Sequence, residues 1–185
     1  PMSVMVGVGK AAEAGVLIRN GEALQTASKI TAMILDKTGT ITEGAPKVTD
    51  VLIVDNSYTK KYILTAAASI ESGSEHPLAQ AIVDSTIEQG IDPETVTDFH
   101  AIAGHGVQAT YNGHQLLFGN KKLMLTKGVV LMDFVNKAQK FADEAKTPMY
   151  FAIDKKLAAI IAVSDPIKQD SIAAIERLQA NGIRV

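Results

Sequence analysis

The sequence predicts a two-lobed α/β fold, in which a lobe with parallel strands is interrupted by an α+β insertion that carries an antiparallel sheet. The first observation is the apolar run Ala32–Leu35, which ends sharply at Asp36 in the manner of a buried parallel strand. The second is a pair of hairpin patterns in the middle of the chain, because hairpins join antiparallel strands. The third is the return of a helix-and-strand pattern after Ser164–Pro166. We therefore expect one lobe from 1–45 with 164–185, and a second lobe from 46–163.

Composition excludes several classes of function. The chain has 185 residues and carries 18 Lys and Arg against 20 Asp and Glu, so its net charge of −2 gives no positive field for nucleic acid. It has no cysteine, which excludes a disulfide framework, a thiolate metal site and a cysteine nucleophile. The longest stretch without Asp, Glu, Lys or Arg, Phe99–Asn120, holds three His and four Gly and does not read as a membrane span. We expect a soluble chain that binds no nucleic acid.

The first predicted lobe begins with the apolar stretch Pro1–Gly9, and we expect 1–14 to be the end of a membrane-proximal helix. Gly15–Arg19 predicts a short strand, and Asn20 predicts the N-cap of a helix that runs to about Ser28. The polar turn Lys37–Thr40 then follows a predicted strand end, where ligands bind in open α/β sheets. After the insertion this lobe resumes with a helix marked by Ile172, Ile175 and Leu178, a stop at Asn181-Gly182, and a strand that opens at Ile183–Val185.

In the predicted insertion, the apolar spacing alternates between strand and helix periods. Val48–Val54 predicts a strand with Val48, Asp50, Leu52 and Val54 on one face. Asn112-Gly113 predicts a type I′ turn between two strands, and Asp154–Lys156 joins a second strand pair. Helices are predicted from apolar residues at helical spacing or from proline at a helix start: Tyr62, Ile63, Ala66 and Ile70; Pro77, Leu78 and Ile82; and Leu131, Phe134, Val135, Ala138 and Phe141.

The segment Asp36-Lys-Thr-Gly-Thr40 carries the clearest sign of chemistry. An aspartate at a strand end, followed by a tight turn of backbone N–H groups, can attack a phosphoryl group and become an acyl phosphate. Gly39 lets the turn bring its amides close together, and the hydroxyls of Thr38 and Thr40 can contact phosphate oxygens. The same residue types also form ordinary turns after strands, so these residues alone leave both interpretations open.

Six segments, in a fixed order along the chain, extend this motif: GVLIRNGEALQ (15–25), DKTGTITEG (36–44), SEHPLAQAIV (74–83), GHGV (104–107), GNKKLM (119–124) and SDPIK (164–168). On these residues the chain resembles the P-type ATPases, and more narrowly their heavy-metal-transporting subgroup. PMSVMVGVGK (1–10) resembles the stretch that follows the membrane metal-site motif of copper-type members. The resemblance implies a partial haloacid dehalogenase-like phosphorylation domain that is interrupted by a nucleotide-binding domain.

The resemblance also implies roles for individual residues. Asp36 is the expected nucleophile, and Thr38 is expected to meet the terminal phosphate and to join Asp36 in binding Mg²⁺ through its carbonyl oxygen. Asp165 and Pro166 are expected at the second hinge between the domains. ATP or ADP is expected to bind the insertion against seven residues: Glu71, His76, Gly104, Gly106, Val107, Gly119 and Asn120.

The chemistry of these residues suits a nucleotide pocket, although each also has an ordinary explanation. Gly104 and Gly106 remove Cβ atoms where a flat base must approach the backbone. His76 can donate a hydrogen bond or stack, or it lies before Pro77 simply because a helix begins there. Glu71 is either a pocket residue or a solvated helix-end carboxylate. The remaining histidines share no metal-ligand spacing and are interpreted as non-ligands: His100, His105 and His114.

Two other functions fit parts of the sequence. Phosphatases of the haloacid dehalogenase type share the strand-end aspartate, but they place a second aspartate two residues later as the general acid and base. This chain has Thr38 there, which cannot transfer a proton in that way near neutral pH. A nucleotide-binding module without catalysis fits better, because the family's TGD segment, its later lysine and its GDGxND aspartates do not occur up to Val185. We therefore expect nucleotide binding without turnover in this chain, and ATP hydrolysis in the parent protein.

The resemblance finally implies a location and partners. The parent is expected to be an integral membrane protein, with this chain on the cytoplasmic face of the membrane. The expected partners are the membrane and actuator domains of the same transporter, and a heavy-metal ion, expected to be Cu⁺, that is handled outside these residues.

Overall fold

The computed structural model describes residues 2–185 and confirms a mixed α/β fold. Its helices are α1 (Met2–Glu13), α2 (Gly21–Ala27), α3 (Lys60–Glu71), α4 (Pro77–Ile87), α5 (Lys121–Thr126), α6 (Phe134–Asp143) and α7 (Ser171–Ala180). Its strands are β1 (Lys47–Ile53), β2 (Thr97–Ile102), β3 (Gly106–Tyr111), β4 (His114–Gly119), β5 (Thr147–Ile153) and β6 (Lys156–Ser164). The chain forms two compact units, a smaller one from Pro1–Ile41 with Lys168–Val185 and a larger one from Thr42–Ile167.

The larger unit is built on a six-stranded sheet in the order β1-β6-β5-β4-β3-β2, and every neighbouring pair is antiparallel. Both predicted hairpins are confirmed. Asn112 and Gly113 join β3 to β4 with φ angles of 50° and 81°, as a type I′ turn requires. Asp154 and Lys155 join β5 to β6 with φ angles of 48° and 63°. The two turns therefore fix the registers of the central strands.

Helices cover both faces of this sheet, because its strands alternate apolar side chains between two clusters. On β4, Leu116 and Phe118 pack in the cluster that contains α3 and α4, whereas Leu117 packs in the cluster that contains α5 and α6. The helix predicted from Leu131 begins at Phe134 instead. The core is thus divided into two layers, and the helices that carry the GNKKLM and SEHP segments lie on different layers.

Strand β1 does not keep the single face that the alternation predicts. Its register with β6 shifts between Val48 and Asp50, as at a β-bulge. Val48 therefore packs with Val51 and Ile53 in the α3–α4 cluster, while Leu52 lies in the other cluster. The assignment of Val48, Asp50, Leu52 and Val54 to one face is wrong for this reason.

The smaller unit confirms the predicted helices and corrects the predicted strands. Asn20 caps α2, since its Oδ1 accepts a hydrogen bond from the Ala23 amide at 2.8 Å. Gly15–Arg19 is irregular rather than a strand. The strand predicted at Ala32–Leu35 is reduced to one parallel bridge between Ala32 and Arg184, and Ile34 is 99% exposed rather than buried. A ladder needs a partner along its whole length, and within residues 2–185 this segment pairs at one position.

Helix α1 lies where the membrane-proximal helix is predicted, and Pro1, the first residue of that predicted stretch, falls outside the described residues. Within residues 2–185, none of the helices has the length and apolar character that crossing a bilayer requires.

Candidate nucleotide site and phosphate-acceptor turn

All seven residues that the sequence predicts at a nucleotide site line one cavity in the larger unit. The cavity has a volume of about 420 Å³, which is within the range of small-molecule sites. One wall is the end of α3 and the start of α4, and the opposite wall is formed by the turns that follow β2 and β4. The structure thereby brings together residues that are up to 49 positions apart in the sequence: Glu71, His76, Gly104, Gly106, Val107, Gly119 and Asn120.

Glu71 is the buried acidic group of the cavity. It is the last residue of α3 and is only 3% exposed, so it is not a solvated helix-end carboxylate. Burial raises the pKa of Glu71 to about 7, while a hydrogen bond from Ser74 acts in the opposite direction. A carboxyl group with this pKa is partly protonated and partly ionised near neutral pH. It can therefore donate a hydrogen bond to a ligand or accept one from it.

His76 has a structural contact as well as a place at the cavity. It is the N-cap of α4, where its Nδ1 accepts a hydrogen bond from the Leu78 amide at 3.2 Å, and Pro77 occupies the first helical position. An Nδ1 that accepts carries no hydrogen, so in the neutral ring Nε2 carries the hydrogen and can donate to a ligand. The helix-start explanation and the pocket explanation are therefore compatible.

The glycines at the opposite wall are required by the backbone before any ligand is considered. A Cβ on Gly106 would lie 2.2 Å from the carbonyl oxygen of Phe118, and a Cβ on Gly119 would lie 2.3 Å from the carbonyl oxygen of His105. Strands β3 and β4 approach so closely here that neither position has room for a side chain. Gly104 has open space around it but a φ of 69°, a conformation that favours glycine. The structure thus gives a different reason for Gly106 than the approach of a base.

Asn120 holds the two turns of this wall together. Its Nδ2 donates to the Gly104 carbonyl at 2.8 Å, and its Oδ1 accepts from the Leu123 amide at 3.0 Å as the N-cap of α5. Its backbone amide also donates to the His105 carbonyl at 2.9 Å. Both ends of the side-chain amide are therefore engaged, so Asn120 shapes the wall.

Sequence reasoning missed several residues that line the same cavity. Most are small or apolar and belong to ordinary strand and helix patterns, so no local signal marks them. His105 is the exception, because its position inside GHGV could have indicated it. These additional lining residues include Ser74, Leu78, Ala79, Ile102, Ala103, His105, Pro148 and Met149.

The predicted phosphate-acceptor turn lies in the smaller unit. Asp36 is exposed, and Thr38 and Gly39 have (φ, ψ) angles of (−75°, 122°) and (75°, −12°), which are those of a type II turn. Lys168 Nζ donates to the Gly39 carbonyl at 2.8 Å, and Ser171 Oγ donates to the Ile41 carbonyl at 2.8 Å. The turn that follows Asp36 is thus fixed by side chains that come from the far end of the chain.

Asp165 and Pro166, the predicted hinge residues, lie against 42–45 in the larger unit. The Asp165 carboxylate accepts from the Thr42 hydroxyl at 2.5 Å and from the Gly44 amide at 2.9 Å. The Pro166 carbonyl accepts from the Glu43 amide at 2.8 Å. The segments by which the chain enters and leaves the larger unit are therefore held side by side, a few residues from the predicted domain boundaries, and the hinge itself stays a prediction.

Known proteins resemble this chain over its whole length. The chain is 42% identical over 185 residues to Copper-transporting ATPase 2 of Rhizobium meliloti, and it covers 22% of that protein. A crystal structure of a zinc-transporting PIB-type ATPase in the E2.Pi state matches it with a TM-score of 0.85 at 30% identity, over 98% of this chain and 29% of the other. The catalytic domain of the CPx-ATPase CopB-B, described for its conformational changes upon nucleotide binding, matches with a TM-score of 0.67 at 25% identity. The match covers 96% of this chain and 61% of the other.

These matches confirm the resemblance to heavy-metal P-type ATPases that the sequence motifs indicate, with this chain spanning about a fifth of the length of the copper-transporting relative. A family model described as haloacid dehalogenase-like hydrolase matches residues 30–185, and the chain therefore belongs to the haloacid dehalogenase-like hydrolases.

Proposed function

We propose that this chain binds ATP and supplies the phosphate-acceptor aspartate within a heavy-metal P-type ATPase, with copper as the preferred metal. The observation that carries the proposal is the cavity that all seven predicted nucleotide-binding residues line. The whole-length similarity to Copper-transporting ATPase 2 of Rhizobium meliloti supports the choice of copper. The metal ion is the transported substrate and is handled outside these residues, on the membrane domain of the transporter.

The lining of the cavity suits a base and ribose better than a triphosphate. Among residues 2–185, none of those that line it is Lys or Arg, so these residues offer the phosphate oxygens no lysine or arginine cation. Ile102, Val107 and Met149 give an apolar lining for a flat ring. Glu71 and His76 then supply polar groups that fix its orientation, so we place the adenosine part of ATP in this cavity.

The chemistry of phosphoryl transfer falls to Asp36. A carboxylate oxygen of Asp36 attacks the γ-phosphorus, the bond from that phosphorus to the β,γ-bridging oxygen breaks, and ADP leaves while an acyl phosphate remains on Asp36. Thr38 stands where a phosphatase of this fold has its general acid and base, and a hydroxyl cannot take that role near neutral pH. The acyl phosphate is thereby protected from rapid hydrolysis, which suits a transporter rather than a phosphatase.

Magnesium fits this turn only in part. The Asp36 carboxylate and the Thr38 carbonyl are oxygen donors of the kind Mg²⁺ prefers, and bound Mg²⁺ would neutralise charge on the transferred phosphoryl group. Within residues 2–185, however, no group of three or more His, Cys, Asp or Glu side chains could hold a metal ion. We therefore propose that the chain by itself binds nucleotide without turnover.

We further propose that the parent protein lies in a membrane with this chain on its cytoplasmic face. The partners in that setting are the membrane and actuator domains of the same transporter. Asp165 and Pro166 would serve as a hinge, because short connections held by a few hydrogen bonds can absorb a rotation of the backbone.

Titration of the chain with ATP tests the proposal. Amide signals of the residues around the cavity should shift in ¹H–¹⁵N spectra, and His76→Gln should weaken binding by about 1–2 kcal/mol through loss of one hydrogen bond. His100→Gln is the matched control, because His100 is an exposed histidine of β2 that does not line the cavity. Unchanged spectra at millimolar ATP, or equal weakening of ATP binding by both substitutions, would refute the assignment of ATP to this cavity.

A further inference from the structure

His105 lines the cavity, and its backbone is fixed on both sides. Its amide donates to the Ile102 carbonyl at 2.9 Å, and its carbonyl accepts from the Asn120 amide at 2.9 Å. The residue is thus tied to the end of β2 and to the start of α5. A side chain on such a rigid base loses little freedom when it binds a ligand.

The ring of His105 has a defined tautomer. Its Nδ1 lies 2.8 Å from the carbonyl oxygen of Ala103. A carbonyl oxygen only accepts hydrogen bonds, so Nδ1 carries the hydrogen, and in the neutral ring Nε2 is left as an acceptor. His76 is the reverse case, because its Nδ1 accepts from the Leu78 amide and its Nε2 is a donor. Both residues line the cavity, and in the neutral rings Nε2 is therefore an acceptor in His105 and a donor in His76.

We propose that His105 is a specificity-determining residue of the nucleotide cavity, whose Nε2 accepts a hydrogen bond from the exocyclic amino group of adenine. The inference rests on the proposed function, since it assumes that ATP occupies this cavity. Adenine presents an amino donor beside a ring nitrogen that accepts. An acceptor such as His105 Nε2 can pair with the amino group, and a donor such as His76 Nε2 can pair with the ring nitrogen. Guanine presents an oxo acceptor beside an N–H donor, so the same pair of groups would meet it less well.

The first test needs no substitution. Long-range ¹H–¹⁵N spectra of the imidazole rings report which nitrogen carries the hydrogen in the free chain. We expect His105 to show Nδ1–H and His76 to show Nε2–H. Addition of ATP should then shift His105 Nε2 as an accepted hydrogen bond forms. The opposite tautomer at His105 would overturn the proposal.

The second test compares ATP with purine riboside triphosphate, which lacks the amino group. The wild-type chain should bind ATP about 3- to 10-fold more tightly, as expected for one neutral hydrogen bond. His105→Phe keeps a flat ring without an acceptor and should abolish the preference, whereas His105→Gln keeps an acceptor oxygen and should retain it. His100→Phe, a change of the same kind at an exposed position of β2, should leave the preference unchanged.

The outcomes separate the two hypotheses. Absence of ATP binding to the wild-type chain would refute the proposed function. ATP binding with equal affinity for purine riboside triphosphate, or a preference that survives His105→Phe, would refute the role of His105 alone. If His105→Phe does not fold, the tautomer of His105 and the shift of its Nε2 with ATP, compared with purine riboside triphosphate, still decide the question.

Discussion

Glu71→Gln should change how the stability of the larger unit depends on pH. Glutamine keeps the size of the side chain but cannot ionise. The pKa of Glu71 is about 7 in the folded chain because the group is buried, against 4.5 for an unperturbed carboxyl. Between these pH values the unfolded chain has released this proton while the folded chain keeps it. The unfolded state then binds fewer protons, so the free energy of unfolding falls as the pH rises.

The size of the effect follows from the same difference in pKa. The difference between a pKa of 4.5 and one of about 7 corresponds to a loss of roughly 3 kcal/mol at most in the free energy of unfolding. This loss is complete above about pH 7. Because Glu71 is 3% exposed, screening by solvent reduces this value little. The wild-type chain should therefore lose stability relative to Glu71→Gln as the pH rises through this window, and the gap should then level off.

Tyrosine signals make the assay specific to the larger unit. The chain has no Trp, and its four Tyr residues all lie between Thr42 and Ile167: Tyr58, Tyr62, Tyr111 and Tyr150. Urea unfolding followed by tyrosine fluorescence, from pH 4.5 to 8, gives the free energy of unfolding at each pH. Glu75→Gln is the control, because Glu75 is an exposed carboxylate four residues away. A gap between wild type and Glu71→Gln that does not vary with pH would refute the raised pKa of Glu71.

Three further outcomes are expected. Gly106→Ala should lower the stability of the larger unit by about 2 kcal/mol or more, because its Cβ would lie 2.2 Å from a carbonyl oxygen. Gly9→Ala in α1, with no atom near its Cβ, should cause no such loss. Asp165→Asn should speed deuterium exchange of the Gly44 amide, since a charge-assisted hydrogen bond is weakened; an unchanged rate would refute this. Asp36→Asn in the whole transporter should abolish hydroxylamine-sensitive label from radioactive ATP and leave ATP affinity nearly intact, and surviving label would remove Asp36 from the mechanism.

Local chemistry made much of the larger unit predictable. Asn112-Gly113 adopts the positive φ angles that its residue types favour, and Pro77 begins α4 because a missing N–H costs nothing there. The bulge at Val48–Asp50 was not predictable, because it depends on the pairing of β1 with β6. Alternation along one strand contains no information about a shift against its neighbour.

Burial of polar groups was the other feature that the sequence did not reveal. Glu71 has the composition and position of a solvated helix end, yet the loop that follows α3 and the turn after β2 enclose it in the cavity. The tautomer of His105 depends likewise on a carbonyl two residues earlier, which only the folded turn brings into range. Motifs identified which segments meet at the cavity, whereas solvent exposure and proton positions required the tertiary structure.

The residues of the cavity divide into those that shape it and those that present polar groups to a ligand. Gly106 and Gly119 permit the close approach of β3 and β4. The side-chain amide of Asn120 donates to the Gly104 carbonyl and accepts from the Leu123 amide. Their substitution is therefore expected to damage the fold in the absence of nucleotide. Glu71 and His76 also present polar groups to a ligand, so their substitution should change the affinity for ATP in addition to the stability that burial and the helix cap determine. A shared motif thus does not imply a shared role, and comparing stability without ATP against affinity for ATP distinguishes the two groups.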